Sequence, residues 1–144
     1  MKRTVQEIMT HEIVTVTPED NIYEIAVKMK DHDTGCIPVV EASDHSSLLG
    51  IVTDRDLVIR GYAEKRPGSA SVDKVMTTNV RTASLEMSVD DAAELMAEQQ
   101  IRRLPVTDGN KLIGIVSIGD IAVNSPFVDD AGSALSEISE QHLH

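Results

Sequence analysis

The chain is poor in several features that usually announce a function. Cysteine occurs once in 144 residues, as Cys36. No intrachain disulfide can form, which fits a reducing compartment. Aromatic residues make up 2% of the chain, with no Trp, so a core must be built from Ile, Val, Leu, Met and Ala. No apolar run approaches the roughly 18–20 residues that a membrane span needs. The opening MKRTVQEIMT carries basic residues but no apolar h-region, so a secretory signal peptide is not expected and a cytoplasmic location is.

Basic charge is also scarce, with 13 Lys and Arg against 24 Asp and Glu and a formal net charge of −11. Residues 5–57 hold 3 basic and 11 acidic residues, and residues 72–121 hold 5 and 8. Residues 122–144 hold four acidic residues and no Lys or Arg, whereas residues 58–71 are net basic. Such a chain repels nucleic acid and anionic lipid as a whole. A local anion site remains open to it, because one or two Arg and a few backbone N–H groups suffice.

What is present in quantity is hydrophobic residue, 41% of the chain, enough for a packed core. The sequence also repeats itself. At an offset of 67, Val5 meets Val72, Met9-Thr10 meets Met76-Thr77, Thr15 meets Thr82, Glu19 meets Glu86, and Ala26 meets Ala93. Met29 then meets Met96, and Pro38-Val39 meets Pro105-Val106. The offset falls to 64 where GIVTDRDL (50–57) meets GIVSIGDI (114–121). The lost residues lie in one polar loop, EASDHSS in the first copy and TDGNK in the second, where a duplication tolerates a gap. The divisions read from the sequence are a first repeat over 1–63, a linker over 64–71 with the breakers Pro67 and Gly68, a second repeat over 72–126, and an acidic tail over 127–144. The tail carries a short helical pattern over 135–141.

Both copies follow one pattern. A short strand, IVTV (13–16) or VRTA (80–83), precedes a helix whose apolar residues are Ile22, Ile25, Ala26 and Met29, or Val89, Ala92, Ala93 and Met96. That spacing predicts one helical face. Asn21-x-x-Glu24 and Ser88-x-x-Asp91 resemble capping boxes at its start. Two strands follow, IPVVE (37–41) with LLGIVT (48–53), and LPVT (104–107) with KLIGIVS (111–117). Asp108-Gly109-Asn110 predicts a tight turn between the second pair. A last helix begins at Asp54 or Ile118. The order β-α-β-β-α occurs twice, which predicts an α+β (α/β) protein of tandem repeats packed with pseudo-twofold symmetry through their sheets.

Two readings stay open for Thr53-x-x-Asp56 and Ser117-x-x-Asp120. A hydroxyl before a helix with a carboxylate three residues on is a helix cap. The same geometry also suits a phosphate or a ribose diol. Arg102 and Arg103 stand before Leu104-Pro105 where the first copy has Gly35-Cys36, and Arg55 stands where the second has Gly119. These Arg residues are either anion contacts or surface ion-pair formers. Pro38 and Pro105 are tolerated at the start of a strand, and they also leave nearby backbone groups free to face a base. Cys36 has no base or cation beside it in sequence, and His11, His32 and His45 lack metal-site spacing. No metal site is expected, and no catalytic residue is assigned. The glycine-rich phosphate-loop and dinucleotide fingerprints do not occur.

Taken together, VQEIMTHEIVTVTPEDNI and VDKVMTTNVRTASLEMSV, TGCIPVVE and IRRLPVTD, and GIVTDRDL and GIVSIGDI resemble a pair of CBS domains, the module named after cystathionine β-synthase. The resemblance covers roughly residues 1–124. It implies a non-catalytic regulatory module that binds AMP, ADP, ATP or S-adenosylmethionine in clefts between paired domains and needs no cofactor. It implies phosphate or ribose contacts at Thr53, Asp56, Ser117 and Asp120. Adenine contacts are implied at Cys36-Ile37-Pro38 and Arg103-Leu104-Pro105, and first-strand contacts at Thr15-Val16 and Thr82-Ala83. Arg55, Arg102 and Arg103 are the anion candidates. The partners the resemblance implies are a second copy of the chain, in a homodimer, and an unidentified effector protein. Nucleic acid and membrane are not expected partners. The alternative is a structural or interaction dimer without a functional nucleotide site.

Overall fold

The computed structural model describes residues 3–124. The helical pattern over 135–141 and the rest of the tail lie outside the described residues. Five helical segments and five strands run in the order α1 (Val5–Ile8), α2 (Ile22–His32), β1 (Cys36–Val40), β2 (Leu48–Thr53), α3 (Asp54–Asp56), β3 (Ala83–Ser84), α4 (Val89–Gln99), β4 (Arg103–Asp108), β5 (Lys111–Ser117) and α5 (Ile118–Asn124). Helix α3 continues without a break into a wider π-helical turn, Leu57–Tyr62, and a 3₁₀ turn spans Val72–Lys74.

The chain forms two compact units. One, here the first-repeat unit, comprises Val14–Val80 with Asn110–Leu112; the other, the second-repeat unit, comprises the residues up to Ile13, Arg81–Gly109 and those from Ile113 onward. The opening segment of each repeat therefore belongs to the unit built on the other.

In the first-repeat unit β1 and β2 pair antiparallel, with Ile37 opposite Val52, Pro38 opposite Ile51 and Val39 opposite Gly50, and a bulge between Val39 and Val40. The expected strand over 13–16 is reduced to one parallel bridge between Val16 and Val39, closed by Val16 N donating to Pro38 O (3.1 Å) and Val40 N to Val16 O (2.8 Å). The core is Val16, Ile25, Ile37, Val39, Val52, Val72 and Val75, so Val72 and Val75 come from the opening of the second repeat. Helix α2 is capped by the Asn21 side chain, which accepts from Glu24 N. Its buried face is narrower than the spacing predicts. Ile25 is fully buried, whereas Ala26 lies exposed, because the helix turns its Tyr23 and Ala26 side outward, with Tyr23 67% exposed.

In the second-repeat unit the sheet order is β3-β4-β5, with β3 parallel to β4 through Ala83–Val106 and Ser84–Thr107. Here the expected strand over 80–83 survives as Ala83–Ser84. All four helix residues named above, Val89, Ala92, Ala93 and Met96, are buried. They pack with Leu104, Val106, Val116, Ile118 and Ile121, and with Val5, Ile8 and Met9 from the opening of the first repeat. Ser88 caps α4 by accepting from Asp91 N. Helices α2 and α4 end alike, on Asp33 (φ 50°) and Gln100 (φ 55°) in the left-handed conformation, 67 residues apart.

The exchanged openings are held by one contact made twice. Thr77 N donates to Ile51 O (2.8 Å) and Ile51 N to Thr77 O (2.9 Å); Thr10 N donates to Ile115 O (2.8 Å) and Ile115 N to Thr10 O (3.0 Å). The Met-Thr of each opening thus pairs with the Gly-Ile-Val of the other repeat's closing phrase. The glycine is there for clearance. A Cβ on Gly50 would lie 2.3 Å from Thr77 O, and one on Gly114 would lie 2.5 Å from Met9 Sδ and 3.0 Å from Thr10 O.

The longer loop of the first copy is organised by Asp44, whose carboxylate accepts from Ser46 N (2.9 Å), Ser47 N (3.0 Å) and the Ser47 hydroxyl (2.5 Å). The loop also pairs with residues 110–112, through Leu48 N to Asn110 O (2.9 Å) and Leu112 N to Ser46 O (2.8 Å).

Two outcomes follow. Gly50→Ala should destabilise by about 1–3 kcal/mol or more, because a rigid backbone carbonyl must move, and Gly114→Ala by less, because a Met side chain yields first. Urea denaturation of both variants checks this, and equal midpoints would contradict it. The Ser47 hydroxyl, then the Ser47 and Ser46 amides, hold the Asp44 carboxyl down to about 2. A carboxyl so depressed adds stability that is complete above its ordinary value of 3.8 and is lost as pH falls through about 2. NMR titration should show this depression, with Ser47→Ala moving the value back up.

Candidate functional site

Each unit gathers its own half of the expected site residues. In the first-repeat unit the turn from β2 into α3 lies beside the start of β1, because Asp54 N donates to Gly35 O at 2.9 Å. In the second-repeat unit Ile118 N donates to Arg102 O, also at 2.9 Å. Thr15, Val16, Cys36, Ile37, Pro38, Thr53, Arg55 and Asp56 thus share one unit, and Thr82, Ala83, Arg102, Arg103, Leu104, Pro105, Ser117 and Asp120 the other. In both, the aliphatic and Pro members are buried, the hydroxyl and Asp members are half-buried, and Arg55 and Arg102 are exposed. Each cluster thus sets buried apolar residues beside half-buried polar ones, the mixture of groups that small-molecule sites use.

The two hydroxyl-x-x-Asp phrases are reciprocal caps. Asp56 N donates to Thr53 Oγ1 (3.1 Å) while Thr53 N donates to Asp56 Oδ2 (3.0 Å). Asp120 N donates to Ser117 Oγ (3.0 Å) while Ser117 N donates to Asp120 Oδ2 (3.0 Å). Each carboxylate therefore sits in the first turn, near the positive end of the helix. An ionised carboxylate has about four lone-pair directions, so a cap bond leaves acceptor capacity for a diol.

Asp56 has further neighbours that the sequence reading missed. The Thr77 hydroxyl lies 3.3–3.4 Å from its two oxygens, and Arg60 Nε lies 3.9 Å from Oδ1. Arg60 also donates to Met76 O (2.9 Å). The Met-Thr pair recurring at offset 67 was a visible signal for Thr77. Nothing in the spacing announced Arg60, whose position depends on the wide turn after Asp56. Lys28 Nζ donates to Thr15 O at 3.0 Å, where the second copy has Leu95. The Thr34 hydroxyl donates to Cys36 O at 3.1 Å. In the second-repeat unit the Thr107 hydroxyl, 8% exposed, reaches Thr82 Oγ1 at 3.5 Å.

Among the described residues, no group of three or more His, Cys, Asp or Glu is placed to hold a metal ion, and no helix is long and apolar enough to cross a membrane.

The model of the CBS domain family matches the chain twice, over residues 5–61 and 72–125. The CBS domain-containing protein YhcV of Bacillus subtilis is 46% identical over 141 residues, covering 98% of this chain and 99% of that protein. Among solved structures, Hypoxic Response Protein I with two coordinated zinc ions superposes with a TM-score of 0.78 at 30% identity, covering 86% of this chain and 100% of that one. The CBS domain pair of protein MJ0100, in complex with 5′-methylthioadenosine and S-adenosyl-L-methionine, superposes with a TM-score of 0.74 at 27% identity, covering 85% and 95%. With both matched segments containing a reciprocal hydroxyl-x-x-Asp cap beside a strand that carries proline as its third residue, the chain belongs to the CBS domain family and carries the domain as a tandem pair.

Proposed function

We propose that this protein is a non-catalytic regulatory module of the cytoplasm that binds an adenosine-containing ligand, AMP, ADP, ATP or S-adenosylmethionine, through the two residue clusters. The observation that carries the reading is the repeated placement of a capping hydroxyl and carboxylate beside the residues that lead into a buried Ile-Pro or Leu-Pro strand. The apolar residues of each cluster suit the neighbourhood of a base, the half-buried carboxylate is an acceptor for a ribose diol, and the Arg residues are donors for an anion. The MJ0100 complex supports the ligand class. The ligand acts by favouring one conformation or assembly, and only by as much as its affinities for the two states differ. No cofactor is required in this reading.

The output passes through a homodimer or an effector protein. The outward apolar side chains of the first-repeat unit, Tyr23, Val58, Ile59 and Tyr62, support an association surface. The same exposure favours the second reading, an interaction dimer whose clusters bind nothing.

Thermal denaturation with AMP, ADP, ATP, NAD and S-adenosylmethionine separates the two. A true ligand at about 100 times its Kd should add about 2.7 kcal/mol of stability; no shift with any of them, together with a stable dimer and a co-purifying protein, favours the second reading. Asp56→Ala and Asp120→Ala should each cost about 0.5–2 kcal/mol through the lost cap and should each weaken the cluster they belong to. Unchanged ligand binding in both variants removes the carboxylates from the binding mechanism.

A further inference from the structure

The wide turn Leu57–Tyr62 brings Arg60 to a junction of three segments of the first-repeat unit. The turn is held by Ala63 N, which donates to Val58 O five residues back (2.8 Å), and wide turns of this kind are frequent at functional sites. Gly61 is buried and faces the opening of the second repeat, where a Cβ on it would stand 3.8 Å from Val75 Cγ1 and from Ile22 Cδ1. From this seat Arg60 donates through Nη1 to Met76 O (2.9 Å) and holds Nε 3.9 Å from Asp56 Oδ1. Its own carbonyl accepts from Arg66 Nε in the linker (3.0 Å).

The segment between these contacts is docked along its length. Arg66 N donates to Gly61 O (3.0 Å), Tyr23 N to Gly68 O (3.0 Å), Ile22 N to Ala70 O (2.9 Å) and Val72 N to Asp20 O (2.8 Å). The linker thus lies as a strap across the start of α2 and runs on into the opening that buries Val72 and Val75. The bond from Arg60 to Met76 pins the two ends of this loop together. Asp56 holds the far end twice, directly through the Thr77 hydroxyl and indirectly through Arg60. Its side chain is 13% exposed, so salt screens its charge less than that of a surface carboxylate. In the second closing phrase the residue at the place of Arg60 is Asn124, which has no charge to pair with Asp120.

We propose that Arg60 is a latch that couples the Asp56 carboxylate to the docking of the linker and the second-repeat opening, residues 64–77. Whatever neutralises Asp56 or engages its Oδ1 competes with the guanidinium. Arg60 then holds Met76 O less firmly, and the loop it closes opens before the rest of the unit, as a local unit of low stability does. The first-repeat opening, which is docked at Ile115, does not respond. The latch deepens the regulatory reading above and rests on it only for what acts on Asp56.

Native-state hydrogen exchange of the full chain, with no ligand added, tests the latch. Arg60→Met keeps the length of the side chain, and Asp56→Asn keeps an acceptor for the cap. Each should speed exchange at the Ile51, Val72 and Thr77 amides by about three- to tenfold, the effect of losing a charged contact that is partly in water. The double variant should exchange little faster than the faster single one, because the two side chains act through one contact. The Thr10 and Ile115 amides should change by less than about twofold. Should Asp56→Asn not fold, Arg60→Met decides alone, by whether the two openings respond differently. Unchanged exchange at Val72 and Thr77, single effects that multiply in the double variant, or equal acceleration at both openings overturns the latch. A negative result here leaves the binding reading intact, and a failure of every nucleotide to bind leaves the latch intact.

Discussion

A backbone pair that passes within contact distance of a glycine is the constraint on which the fold depends. Thr77 against Ile51, and Thr10 against Ile115, bring the opening of one repeat onto the closing phrase of the other. The neighbouring residues of each opening then complete a core that its host repeat cannot fill. Val72 and Val75 are fully buried in one unit, and Val5 in the other. A repeat of about fifty residues buries too little surface to stand alone. Exchange of the openings is how this chain enlarges each core without adding residues, and the glycines at 50 and 114 give the exchanged backbone room to approach.

That constraint also fixes the candidate sites. Once the opening is seated, the closing strand leads directly into a capped helix start, and the same turn is tied to the residues before the central proline. Capping and ligand binding are not competing accounts of Thr53-Asp56 and Ser117-Asp120. The cap holds each carboxylate in a defined place, and an acceptor held in place loses little entropy when a ligand arrives. The scaffold is duplicated, whereas its decoration is not. Lys28 covers the Thr15 carbonyl in one unit, and the corresponding Leu95 is packed into the core of the other.

Much of this was legible in the residues. The offsets of 67 and 64 located both repeats, the loop that differs between them and the start of every long helix, because those features depend on local spacing and capping chemistry. The strands over 37–41, 48–53, 104–107 and 111–117 were legible for the same reason. The strands over 13–16 and 80–83 were overestimated in length, since their pairing is a single bridge or two residues and is decided by the partner strand. Ala26 illustrates a second limit. Its spacing matches Ala93, yet one is exposed and the other buried, because the repeats surround equivalent helices differently. The exchange of openings was not legible at all. A repeat shows that two segments are alike, and says nothing of which copy each one packs against.

The membership of the units has a consequence for how the chain comes to be folded. The first-repeat unit draws on residues 14–80 and on 110–112, so most of its core exists once the residues through Thr77 are available. The second-repeat unit must join Thr10 to Ile115, a closure that spans nearly the whole described chain. During synthesis the N-terminal segment therefore waits, with Val5, Ile8 and Met9 uncovered, until its partners in the second repeat, from Met87 onward, have emerged. Non-local closure of this kind slows folding. It also means that a cut in the linker over 64–71 does not release two domains, because it severs the first-repeat unit from the segment that completes its core.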